Sequence, residues 1–216
     1  MGPRSDNDDE IIRDFKKKCK ELTQKASCGR DYVLVERLSE WMESRWRSHR
    51  PETPAGLLLK AAYRDRKEMG YPIELESVCS GEDRCLLVFS ILIVCGFGKF
   101  IDKFRSRDIV DRHLPMTLVQ LRKEIGAMKI DNGYELADSF DSLQWQFFPV
   151  KFEFDSQKAY PRNRILPICK KEIINKKGGT AQLYQVAVQQ EFVGQSLRNS
   201  VPSSLYHEEE FGPVSS

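Results

Sequence analysis

The chain has 216 residues, of which 40% are hydrophobic and 31% are charged, and its formal net charge is +2. This length supports one packed domain or two small ones. So small a net charge provides no general attraction to nucleic acid or to a membrane surface, and we predict neither partner. The longest apolar run, Cys85 to Phe97, is also shorter than the roughly 20 residues that a membrane-spanning helix needs.

The cysteines and histidines show no pattern typical of a metal or redox site. No two of the six cysteines form a C-x-x-C pair, and the chain does not open on an apolar signal segment. We therefore predict free thiols in a reducing compartment, the cytoplasm, with the nucleus left open. The three histidines lie far apart and lack metal-ligand spacing, so we predict no metal site.

The first half of the chain predicts helices. Residues 1–9 are polar and predict a disordered tail. From Glu10, apolar residues recur three or four positions apart, which predicts a helix that ends near Ser27. A second helical pattern covers Asp31 to Trp46, and a third covers Leu57 to Met69 after a break at residues 50–56.

The apolar run beginning at Cys85 predicts the centre of the fold. A helix without a polar face belongs in the middle of a bundle. Ser80 and Asp83 have the S-x-x-D spacing of a capping box before it, and Gly96 and Gly98 predict close helix packing at its end. Further along, the sequence predicts a capped helix at Thr117–Ile125 and a turn at Asp131–Gly133. It predicts a last helix at Leu136–Phe148, before Pro149.

The pattern changes near residue 149 from helical to β-like. Phe152 and Phe154 alternate with charged residues, and two apolar runs flank Gly178-Gly179 between Ile168 and Val188. We therefore predict an α+β protein, mainly helical and then carrying a small antiparallel β unit. Its parts are a helical region over 10–148, the β unit over 149–195, and a disordered tail over 196–216.

The Gly178-Gly179 turn is the candidate binding site. It predicts a β-hairpin, and it also has the general shape of the phosphate-covering loop in a protein-kinase small lobe. If Leu183 is placed at the apolar position that follows such a loop, only Gly178 is a glycine among the three glycine positions. The candidate nucleotide-contact residues are Gly178, Gly179, Thr180, Ala181 and Leu183. A plain hairpin remains the alternative.

Two segments, Gln144–Phe154 and Arg164–Ala181, resemble filamentous-fungal proteins in which a helical leader precedes a serine/threonine-kinase-like domain. The most specific strings are PVKFEF at 149–154 and ILPI at 165–168. The resemblance implies a following strand with an ATP-pairing lysine, a helix with its glutamate partner, and catalytic and metal-binding aspartates. We can place none of these: Asp111-Arg112-His113 precedes the loop, and Glu210-Phe211-Gly212 follows it too closely.

We therefore predict a non-catalytic, truncated relative of these kinase-like proteins with a regulatory role. No catalytic residue and no cofactor is assigned, and ATP enters only if a kinase continuation follows. One alternative is a helical module that binds a protein partner through the helices at Asp31–Trp46 and Cys85–Phe104 without binding nucleotide. The second alternative is the N-terminal fragment of an active serine/threonine kinase.

Overall fold

A computed structural model of the chain describes residues 6–45, 52–64, 73–153, 159–174 and 184–200. These residues are mainly helical and carry two small antiparallel sheets of two strands each, as the α+β prediction requires. The helices are α1 (Asp6–Glu21), α2 (Val35–Glu43), α3 (Pro54–Ala62), α4 (Leu75–Cys79), α5 (Leu86–Cys95), α6 (Ile101–Ser106), α7 (Leu118–Ala127), α8 (Gly133–Phe147) and α9 (Gln195–Ser200). The strands are β1 (Thr23–Lys25), β2 (Asp31–Val33), β3 (Ile168–Ile173) and β4 (Tyr184–Val188). Of the helices in these ranges, none combines the length and apolar character needed to cross a membrane.

The first helix begins at Asp6, four residues before its predicted start and inside the predicted tail of residues 1–9. It ends at Glu21 and not near Ser27, because residues 23–25 form β1. Its apolar stripe lies as predicted, because Ile11, Phe15 and Cys19 are all buried. The stripe packs on α3, and the Phe15 ring lies 6.3 Å from the ring of Trp41 on α2. Spacing alone was sufficient to identify this face, since residues three and four apart share one side of a helix.

The second helix was predicted to start at Asp31, and that prediction is wrong. Residues 31–33 form β2, which pairs antiparallel with β1, and α2 begins only at Val35. Gly29, with φ of +82°, supplies the left-handed turn that a helix would not contain. Tyr32 and Val33, both residues that favour strands, are buried, and β2 packs against α8.

The proline-containing break at 50–56 contains the start of α3. Pro54 occupies the first helical turn, where its missing N–H costs no hydrogen bond. Thr53 is the N-cap, and its Oγ1 accepts a hydrogen bond from the Gly56 N–H at 3.2 Å. The helix thus begins three residues earlier than predicted. It ends at Ala62, seven residues before the predicted end at Met69, which itself lies outside the described residues.

Helix α5 lies at the centre of the helical region, as its all-apolar sequence predicted. Residues 86–93 are all buried, and the helix packs against α2, α4, α6 and α8. Gly96 ends it in the left-handed conformation, with φ of +81°, so the helix predicted over Cys85–Phe104 is divided into α5 and α6. Gly98 allows close packing, because a Cβ there would lie only 2.4 Å from Cδ1 of Ile93.

The N-terminus of α5 is capped from another part of the chain. The Asp111 carboxylate accepts hydrogen bonds from the N–H groups of Leu87, at 2.9 Å, and Val88, at 3.0 Å. The capping box predicted at Ser80 and Asp83 is therefore wrong, since Ser80 instead ends α4. The buried helix takes its acceptor from a residue that folding brings to its end.

Helices α7 and α8 form where they were predicted, although α8 begins at Gly133, three residues before its predicted start. Thr117 and Gln120 form a reciprocal capping box at the start of α7. Asn132 adopts φ of 60° in the turn before α8, which ends at Phe147. The two helices pack together, and the buried amide of Gln144 exchanges two hydrogen bonds with the Met116 backbone, at 2.7 and 2.8 Å.

The C-terminal part contains the predicted hairpin, formed by β3 and β4. The strand predicted around Phe152 is reduced, in the residues the structure describes, to a single parallel bridge with Val193. Phe154 lies outside those residues. Residues 195–200 form α9, so the stretch predicted as a tail from 196 begins with a helix.

The Asp111 cap generates a first testable prediction. We expect Asp111→Ala to lower the free energy of unfolding by about 2 kcal/mol, because it leaves buried N–H groups of α5 without an acceptor. Urea unfolding followed by circular dichroism measures this change. Asp138→Ala, which removes an exposed ion pair with Arg122, is the control and should change stability by less than about 0.5 kcal/mol. Equal effects of the two substitutions would contradict the structural role of Asp111.

Two glycines should respond in opposite directions to the same substitution. A Cβ on either Gly96 or Gly126 meets nothing within 4 Å, so only the backbone conformation distinguishes them. We expect Gly96→Ala to destabilise by about 1 kcal/mol because its φ is positive, and Gly126→Ala, inside α7, to stabilise by up to about 1 kcal/mol. Thermal and urea unfolding check both signs; two changes of the same sign would contradict the assigned conformations.

Candidate functional site

The candidate site is the β3–β4 hairpin. Its strands pair antiparallel, with Ile173 opposite Tyr184, Lys171 opposite Val186, and Ile168 opposite Val188. A register shift between Ile168 and Lys170 places one extra residue in β3. The apolar runs on both sides of the glycine turn therefore form the predicted strands.

The predicted nucleotide-contact residues lie between these strands in sequence. Gly178, Gly179, Thr180, Ala181 and Leu183 all fall in residues 175–183, outside the described residues. They remain candidate nucleotide-contact residues for the kinase-fragment alternative, in which ATP would bind. Lys170 and Lys171, which precede the turn, lie on β3 itself.

One face of the hairpin is apolar and exposed. Directly paired residues share a face, so Lys171, Ile173, Tyr184 and Val186 lie together. The last three are 46%, 39% and 45% exposed, respectively, and it is their exposure side by side that is informative. We call these four residues the apolar face. Toward the body the same side of the sheet continues to Val188, which packs against the core.

The charges of the hairpin are divided between its two faces. On the apolar face, the Lys171 ammonium lies 3.8 Å from the centroid of the Tyr184 ring. This cation–π contact carries the lysine charge from β3 across to β4. On the opposite face Lys170 forms an ion pair with Glu172 at 3.0 Å. The apolar face thus carries the positive charge of Lys171, while the charges of Lys170 and Glu172 on the opposite face cancel.

The base of the hairpin is bonded to the rest of the molecule. The Ser27 N–H donates to the Ile168 carbonyl at 2.7 Å, which joins β3 to the β1–β2 turn. The Arg30 guanidinium donates to the carbonyls of Arg162 and Arg164 in the segment that leads into β3. Arg164 in turn donates to the Phe148 carbonyl at 3.1 Å. These bonds hold one end of the hairpin while the apolar face extends beyond them.

A second connection follows β4. Phe192 is buried, and its ring meets the ring of Tyr32 edge-on at 5.4 Å between centroids. The neighbouring Glu191 carboxylate accepts a hydrogen bond from the Glu36 N–H at the start of α2, at 3.4 Å. Burial raises the pKa of Glu191 to about 7; the N–H of Glu36 opposes this rise, and the nearby Glu36 carboxylate adds to it. Nothing in the sequence near α2 indicated this cap.

The other motifs have structural roles where the structure describes them. Asp111, from the reversed kinase triplet, caps α5, and burial raises its pKa to about 6. Burial also raises the pKa of the Cys19 and Cys85 thiols to about 12, which keeps them protonated and unreactive. All six cysteines are free. In the ranges that the structure covers, no three His, Cys, Asp or Glu side chains are grouped to hold a metal ion.

The comparisons with known proteins returned no similarity. No family model, no curated protein and no solved structure matches this chain.

The Glu191 cap predicts a pH dependence of stability. Because the folded-state pKa of about 7 lies above the ordinary value of 4.5, this group contributes fully below about pH 4.5, and its contribution is lost as the pH rises through 7. Glu191→Gln keeps an acceptor without the charge. From pH 5 to pH 8, we expect the free energy of unfolding of Glu191→Gln to rise by about 1 kcal/mol relative to that of wild type, after allowing for partial solvent exposure.

Urea unfolding at pH 5, 6, 7 and 8 measures this difference. Glu40→Gln is the matched control, because Glu40 lies exposed on α2, the helix that Glu191 caps. Its stability should follow wild type at every pH. Parallel curves for wild type and Glu191→Gln would contradict the proposed titration of Glu191.

Proposed function

We propose that this protein is a non-catalytic interaction module that presents the β3–β4 hairpin to a protein partner. The observation that supports the proposal is the apolar face: three large apolar side chains are exposed together on a hairpin whose base is bonded to a packed helical body. Contiguous exposed apolar surface is typical of an interaction site, whereas single exposed apolar residues are common on any protein.

The helical region offers a weaker case for the partner site predicted there. The apolar residues of α5 are enclosed by other helices. Trp41 is half-buried and packs near Phe15. Val119, near the start of α7, is 79% exposed, and Tyr134, near the start of α8, is 78% exposed. These two exposed residues therefore belong to two different, consecutive helices. The hairpin is therefore the better candidate for binding.

The attachment of the hairpin also favours this role. Two-stranded hairpins on their own are marginally stable in water. Here the base is supported by the Ser27, Arg30 and Glu191 contacts, so the apolar face need not pack on the body to remain formed. A surface that is ordered before binding loses less conformational entropy when a partner is bound.

A kinase-related origin of this module remains part of the proposal. An antiparallel pair of strands around Gly178-Gly179 is compatible with it, although many unrelated folds contain such a hairpin. The proposed role is regulatory: the module would occupy a partner without transferring phosphate.

The absence of nucleotide binding can be measured directly. We expect ATP, with or without Mg²⁺, to leave the melting temperature of the protein unchanged, because one hairpin cannot enclose a nucleotide and its metal ion. Differential scanning fluorimetry at millimolar ATP tests this, with AMP as the matched ligand control. A reproducible, Mg²⁺-dependent rise in melting temperature would contradict a nucleotide-free module and favour the kinase-fragment alternative.

The partner site is tested by adding a charge to the apolar face. We expect Val186→Lys to reduce partner capture at least about tenfold, because a lysine there would have to be desolvated in the interface. The matched control is Val119→Lys, the same substitution at a more exposed valine on α7.

Quantitative mass spectrometry of proteins retained by the immobilised full chain gives the readout, followed by binding of each purified protein. Circular dichroism establishes that both variants are folded. Equal capture by wild type, Val186→Lys and Val119→Lys would overturn the hairpin as the binding site.

A further inference from the structure

We infer that β4 accepts an extended segment of a protein partner as a third strand, with an apolar residue beside Val186 and an acidic residue beside Tyr184. This inference rests on the proposed function and specifies its partner by chemistry. The two strands of the hairpin differ in how well they could accept such a segment, and the charge above β4 selects the segment's composition.

Among the described residues, the outer edge of β4 is open to pairing at residues 185–188. Within the described part of the chain, residues 185–188 make no backbone hydrogen bond except with β3. They are Gln185, Val186, Ala187 and Val188, with no charge and no proline. Folded proteins protect free strand edges with lysines, prolines or bulges, and β4 has none of these in its pairing residues.

The outer edge of β3 carries those protections. Its central residues are Lys170, Lys171 and Glu172, and the extra residue of its bulge lies beside them. At its first residue, Ile168, the carbonyl already accepts a hydrogen bond from the Ser27 N–H. Strand addition is therefore directed to β4.

The side chains of an added strand would alternate between the two faces of the sheet. On the apolar face they would lie beside Val186 and Tyr184, which are 45% and 39% exposed. An apolar residue next to Val186 removes water from both side chains. On the other face the neighbours are Gln185 and Ala187, which select for no charge.

The position of Lys171 sets the preference for an acidic residue. Its ammonium lies above the Tyr184 ring, at 3.8 Å, and so above β4 rather than β3. Adjacent strands are about 4.8 Å apart, so a carboxylate on the added strand beside Tyr184 comes within ion-pairing distance of it. The required segment is one in which an apolar and an acidic residue are two positions apart.

The experiment uses two synthetic peptides and the full chain. The first peptide has isoleucine at its centre, glutamate two positions to either side and threonine elsewhere, so either strand direction satisfies the pattern. The second has lysine in place of glutamate. We expect the glutamate peptide to slow amide hydrogen exchange at residues 185–188 and to bind at least about tenfold more tightly than the lysine peptide.

Charge reversal supplies the matched variants. Lys171→Glu should reverse the peptide preference, whereas Lys170→Glu makes the same charge change on the opposite face of β3 and should leave the preference unchanged. Binding of neither peptide, equal binding of both, or reversal by Lys170→Glu instead would overturn the inference. Dimerisation of the chain that Val186→Lys abolishes would assign the edge to a second copy and overturn it as well.

The two proposals fail in different ways. If neither peptide binds but Val186→Lys still abolishes partner capture, strand addition is wrong and the hairpin remains the partner site. If partner capture is also insensitive to Val186→Lys, the proposed function itself is wrong.

Discussion

The fold depends on the burial of α5, a helix that is apolar on every side. Such a helix must be enclosed by other elements, and α2, α4, α6 and α8 surround it. Enclosure also removes water from its first N–H groups, which then need an acceptor inside the protein. Asp111 supplies that acceptor, so the turn that contains Asp111 stabilises the central helix.

The same device joins the C-terminal β unit to the helical body. Glu191 follows β4 and caps α2, just as Asp111 caps α5. Both carboxylates are partly or wholly removed from water, which raises their pKa to about 7 and about 6. A cap from a distant residue therefore links two regions, but its charge is less well solvated than that of a local cap at the surface.

In the part of the chain that the structure describes, burial in the helical body leaves the hairpin as the place where apolar side chains remain exposed together. The base of the hairpin is bonded to the body, and its far end carries Ile173, Tyr184 and Val186 on one face. This division suits a module that is ordered before it binds. The proposed binding role does not depend on the kinase resemblance, because an exposed strand edge can bind an extended segment whatever the ancestry of the loop.

The sequence by itself determined the elements whose signals are local. The apolar run of α5, the Thr117–Gln120 capping box of α7 and the strands flanking the glycine turn were predicted because neighbouring residues specify them. Tertiary structure decided the β1–β2 pairing, the caps from Asp111 and Glu191, and the exposure of the hairpin face. Each of these features joins residues that are distant in sequence or depends on which surfaces the helical body covers. The spacing of residues within a short segment carries neither kind of information.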